Sequence, residues 1–107
     1  MYIKPFQPKS GGTVVIANAV AASTPALLDE GCDQVALYNS SATATAFWRC
    51  QAITQTGDTM ANASATTDMP IPPDAQVRIT VGMGLKKFSV IASAADGNLY
   101  ITPGKGN

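Results

Sequence analysis

Histidine is absent from this chain, and charge is scarce. Without histidine the commonest general base and the commonest metal ligand are both missing. Two cysteines, Cys32 and Cys50, cannot close a zinc site, which needs about four ligands, and neither has an evident base to make it a nucleophile. Lysine, arginine, aspartate and glutamate make up 13% of the residues, about half the usual share of roughly 25%. Seven basic and seven acidic side chains cancel to a formal charge of zero, so the basic stripe of a nucleic-acid binder is lacking. Aromatics are few and do not interleave with basic residues, which argues against a stacking surface for single strands. No apolar run is long enough to span a bilayer. The opening Met1-Tyr-Ile-Lys-Pro-Phe has no apolar signal core, so cytosolic synthesis and reduced cysteines are expected.

The remaining polar groups offer little chemistry. Asp29, Glu30, Asp33, Asp58, Asp74 and Asp96 fall in or beside expected turns, where aspartate serves the backbone. Gly82-Met-Gly84 lacks the strand–loop–helix setting of a dinucleotide fingerprint. Lys86-Lys87 reads as edge protection at the start of a strand. Asn39-Ser-Ser and Asn62-Ala-Ser match the glycosylation pattern by chance in a Ser/Thr-rich chain. An enzyme is therefore not expected, and neither is a cofactor or a metal.

What is present is a series of short, alternating apolar runs. The central stretch, residues 33–54, holds the only tryptophan and reads as two strands, Gln34–Tyr38 and Thr45–Ile53, paired as a hairpin. Alternation puts Val35 and Leu37 on one face of the first, and Ala46, Trp48, Cys50 and Ala52 on one face of the second. Trp48 is expected in the core. Further strands are expected over Thr13–Asn18, Gln76–Val81, Lys86–Ala92 and Leu99–Thr102, with an extended piece at Met69–Pro73 that its prolines keep from a central position. Residues 19–28 read as extended rather than helical because of Thr24-Pro25. Asp29-Glu30-Gly31 is a turn in which Gly31 can take positive φ, and Asp96-Gly97 signals a second hairpin. Residues 54–68 form a long polar loop, which in a compact domain usually has a purpose.

The pattern gives an all-β, antiparallel β-sandwich, jelly-roll-like, of seven or eight short strands over residues 13–107. Residues 1–12 form an extended N-terminal arm, kept out of a central strand by Pro5, Pro8 and the Gly11-Gly12 joint. Tyr2, Ile3 and Phe6 are too apolar for a free tail, and zero net charge favours association. These three, with Met60, Met83 and Leu85 on loops, are the candidate partner-interface residues.

Several stretches resemble small structural proteins of tailed bacteriophages. Gly31–Asn39 (GCDQVALYN) matches their G-C-D-Q-V-x-(L/V)-Y-N element. Asp-Met-Pro-Ile-Pro at 68–72, the strand ending in Val81-Gly-Met-Gly84, the "I-A" strand and Tyr100-Ile-Thr-Pro-Gly-Lys-Gly106 follow in the same order. Roughly residues 31–106 are covered; the proline-rich arm is not. The resemblance implies a non-enzymatic virion protein of the capsid cement or decoration type. Its partner would be the major capsid protein or another virion protein, and it would assemble as a trimer or dimer. The implied location is the virion, after synthesis in the bacterial cytoplasm, with no nucleic-acid or membrane partner. A tail, neck or fibre-attachment component is the alternative on the same grounds. A carbohydrate-binding module is a third reading, for which Trp48, Tyr38 and Tyr100 are the available aromatics.

Overall fold

The structure, a computed structural model, describes residues 6–105. It contains no helix among these residues and nine strands: β1 (Gln7–Pro8), β2 (Val14–Ala17), β3 (Ala26–Leu28), β4 (Gln34–Asn39), β5 (Ala46–Ala52), β6 (Met69–Ile71), β7 (Gln76–Thr80), β8 (Lys86–Ala92) and β9 (Asn98–Lys105). They form two antiparallel sheets facing each other as a sandwich. In the five-stranded sheet β1 and β2 both pair with β9, followed by β4 and then β7. The four-stranded sheet runs β3-β8-β5-β6, which leaves the proline-bearing β6 on an edge.

Pairing is nested. β5 pairs with β6, β4 with β7, β3 with β8 and β2 with β9, so strands from the two ends of the chain lie side by side. Further pairs, β4 with β9 and β5 with β8, complete the sheets. This corrects the expected central hairpin: β4 and β5 lie in different sheets. The Asp96-Gly97 turn likewise carries the chain from one sheet to the other. Both reversals are real, but each crosses the sandwich instead of closing a ladder.

Asn39 shows why the first reversal crosses. Its side chain is fully buried at the end of β4, and its Nδ2 donates to the carbonyls of Ala44 at 2.8 Å and Ile71 at 3.1 Å. Its Oδ1 accepts from Ser41 N and from Asn18 Nδ2, both at 3.1 Å. Ser41 Oγ then donates to Asp96 at 2.6 Å and accepts from the backbone of Thr43 and Ala44. Residues 39–45 thus become an arch over the end of the sandwich. Gly97, at φ +73°, packs so closely that an added Cβ would sit 2.7 Å from the Ser41 backbone.

Between the sheets, Val35 and Leu37 of β4 and Leu99 and Ile101 of β9 meet Trp48 of β5, Phe88 and Val90 of β8, and Ile71. Trp48 is buried as expected and stacks on Phe88 with ring centroids 5.2 Å apart. Val77, Ile79 and Val81 pack against this core from the edge.

Two smaller expectations change. Lys86 does not guard an edge, because β8 is an inner strand and alternation puts Lys86 on the same face as Phe88 and Val90. It is 2% exposed, and its ammonium donates to the carbonyls of Gly84 at 2.9 Å and Cys32 at 3.1 Å. Gly31 has no positive φ; the turn is held by Asp29, whose carboxylate accepts from Gly31 N at 2.9 Å. The glycines with positive φ are Gly11, Gly82, Gly84 and Gly97.

The segment 1–12 is described from Phe6 onward. Gln7 and Pro8 pair with Lys105 and Gly104, and Lys9 N donates to Pro103 O at 2.8 Å. This part of the arm therefore lies on the edge of its own sheet. Gly104 makes that possible: a Cβ there would collide with the Gln7 carbonyl oxygen and, at 2.7 Å, with the Phe6 ring.

Candidate interaction surface

The two outer faces of the sandwich differ. Over the four-stranded sheet, the long loop between β5 and β6 folds back as a cover. Arg49 of β5 donates from Nε to both carboxylate oxygens of Asp68 at 2.9 Å, and Lys87 Nζ donates to Asp58 O at 2.8 Å. Ser89, outward on β8 yet fully buried, accepts from Ala63 N and donates to Ser23 O. The loop's own turn is closed by Asp58, which accepts from the hydroxyl and amide of Thr54 and the amide of Gln55; these bonds hold its carboxyl below the ordinary value. The loop thus lies over the sheet beneath it.

Met60, one of the candidate interface residues, travels with that loop and is only 8% exposed. Leu85 is half-buried, with its carbonyl accepting from Ile53 N. Met83 stands exposed at the turn that Gly82 and Gly84 make between β7 and β8. Phe6 is half-buried on the outer face of the five-stranded sheet, with the Arg78 guanidinium 5.6 Å from its centroid. Tyr2 and Ile3 lie outside the described residues. Phe6, Met60 and Met83 therefore occupy separate regions, and the structure does not gather them into one surface.

A different set comes together instead. Among the described residues, three of the six exposed large apolar side chains, Val14, Val20 and Leu27, belong to β2, β3 and the segment that joins them. They are 42%, 66% and 50% exposed; Val15, 51% exposed, stands opposite Tyr100 on the outer face of the five-stranded sheet. Both strands are edges, so the seam between the sheets is open here. Val14, Leu27, Leu28 and Pro103 line it, in a depression of about 360 Å³. One end of the seam is clasped by Lys9 and Asp29, 2.7 Å apart; Lys9 lowers the Asp29 pKa and is itself raised by the same bond. Sequence reading missed this surface because Val14 and Leu27 are ordinary strand residues until the two edges are known to be neighbours.

Both cysteines carry free thiols. Burial pushes both above the ordinary value of 9.0. Among the described residues no group of three or more Cys, Asp or Glu side chains is placed to hold a metal ion. Comparison of the chain with protein-family models, curated proteins and solved structures found no match.

Proposed function

We propose that this protein is a non-enzymatic structural component of a phage virion, seated on the outside of the capsid shell as a cement or decoration protein. The observation that carries the reading is the apolar β2–β3 side. Val14 and Leu27 line an open seam, and exposed Val20 lies on the segment that joins their strands, in a molecule with no net charge. A contiguous apolar strip on a small domain marks an interaction site. The order of the strands adds support, since nested pairing across two sheets is what a jelly roll has, and that architecture recurs among viral capsid domains. Fold analogy of this kind raises the expectation without fixing the role.

The phage-like motifs fit the same reading as makers of the fold. Asp68 anchors the covering loop, Gly82 and Gly84 turn the chain, and Pro103-Gly104 closes β1 onto β9. Mechanically, such a protein would bury its apolar side at seams between capsomers and stabilise only the assembled shell, because binding favours the state that is bound. Seating as a dimer or trimer at a local symmetry axis would multiply weak contacts.

The test is a reconstruction of the virion that carries the protein. The expected result is density for this sandwich on the outer shell surface, with the β2–β3 side against capsid protein. Density confined to the tail or neck would replace the reading with the attachment alternative, and absence from the particle would remove both.

A further inference from the structure

Among the described residues, a covering loop lies over one outer face of the sandwich, and the other face carries an ordered set of side chains. On the five-stranded sheet, Val15, Tyr100, Tyr38 and Gln76 stand in one cross-strand row, and Thr102, Ala36 and Arg78 stand in the next. Tyr38 and Tyr100 form a ring pair with centroids 6.0 Å apart. Tyr38 is 37% exposed, and its position is fixed by its hydroxyl, which donates to Asp74 at 3.0 Å. Asp74 is itself held at φ 55°, the one described non-glycine residue in the left-handed region. Beside the tyrosines, small Ala36 and Thr102 floor a depression of about 550 Å³, bounded by Phe6 and Arg78. That volume falls within the range of small-ligand sites.

Arg78 supplies the charge. Its guanidinium lies over Phe6, and it makes no ion pair with any described residue. Asp74, in the turn before β7, is engaged by Tyr38. Gln76 lies between Asp74 and Arg78, and the Thr13 and Thr102 hydroxyls bond each other at 2.9 Å. Tyrosine rings with polar tips next to neutral hydroxyl and amide groups match a ligand with alternating C–H faces and hydroxyls. The Arg78 guanidinium, which has no ion pair among the described residues, matches one carboxylate, for which its fork geometry is suited. A lone cation is too little for a phosphate backbone. A protein partner would use the same tyrosine and arginine groups, and the experiment below separates it from a sugar.

We propose that this face binds an acidic oligosaccharide, one sugar ring resting on Tyr38 and Tyr100 and a carboxylate of the same chain held by Arg78. The two rows are about 7 Å apart, two residues along a strand, which is a spacing that linked pyranose rings span. The site is on the opposite face from the covering loop and does not depend on the capsid reading.

The experiment is a titration of the full chain, followed by backbone amide shifts, with tetragalacturonate and sialyllactose as acidic probes and maltotetraose and cellotetraose as neutral ones. At least one acidic probe should saturate below about 10 mM, with shifts centred on Tyr38, Tyr100, Thr102 and Arg78. Arg78→Gln should weaken it about tenfold and abolish the preference over neutral probes. Tyr100→Ala, confirmed to be folded by its spectrum, should weaken acidic and neutral probes alike. The proposal is overturned if no acidic probe saturates, if shifts map to another surface, or if the acidic preference survives Arg78→Gln. Self-association through this face, seen as the same shifts on raising protein concentration without sugar, would also overturn it.

Discussion

Asn39 shows how one polar residue can choose between two folds of the same strands. Its amide satisfies the carbonyls of Ala44 and Ile71 and its oxygen accepts from Ser41 and Asn18, all away from water. Asn39→Ala would leave those groups buried and unpaired, at a cost of about 3 kcal/mol. Denaturant unfolding should show that loss as a lower midpoint with an unchanged slope; a variant as stable as the parent would mean that water replaces the side chain. The thiols give a second residue-scale prediction. Cys32 and Cys50 are raised chiefly by burial, so at pH 8 native protein should react slowly with iodoacetamide and unfolded protein quickly. Their linkage to stability has one sign. Unfolded thiols lose their protons around 9.0 while the folded ones keep them, so this contribution is full below pH 9 and is lost as pH rises through the folded values. Melting points measured from pH 7 to 10.5 should fall toward the alkaline end, and substituting both cysteines with serine should flatten that part of the profile.

Strands were legible one by one because alternation is local; their partners were not. The runs expected at Gln34–Tyr38, Gln76–Val81 and Lys86–Ala92 appear as β4, β7 and β8, within a residue at their ends. Gly82-Met-Gly84 and Asp96-Gly97 announce reversals correctly, yet a turn residue fixes the direction of the chain without fixing the sheet it enters. That choice rests on nonlocal groups such as Asn18, Ser41 and Asp96, which meet only in the folded molecule. Lys86 was misread for a related reason, since a lysine inside a sandwich is tolerable only when carbonyls from another segment reach its ammonium. The exposed seam was invisible because it needs β2 and β3 as neighbours. β1 was missed because two residues with a proline make no pattern; the close approach permitted by Gly104 creates it. β9 keeps its pairing with β2 and β4 without β1, so a chain lacking residues 2–10 should retain its β-type circular dichroism and melt a few degrees lower, from loss of Phe6 and the Lys9–Asp29 bond. Loss of the β spectrum would show that the edge strand is required for folding.

At the scale of the molecule, the sandwich separates three surfaces by how they are finished. The four-stranded sheet wears its own loop, the five-stranded sheet presents tyrosines and the Arg78 guanidinium, and the β2–β3 side is left apolar. Nested pairing joins residues near both ends of the chain, so most of the structure must form together, and folding on the slower millisecond-to-second scale of all-β domains is expected. The capsid reading rests on the third surface, and the measurement that bears on it most directly is co-sedimentation of the purified protein with purified shells of its own phage. The parent chain is compared with a Val20→Glu, Leu27→Glu variant whose melting point matches it. Both positions are exposed, so the double change should leave the fold intact. The predicted result is saturable pelleting of the parent with shells and at least a tenfold loss of affinity in the variant. Equal pelleting of parent and variant, or no pelleting of the parent at all, would contradict the account.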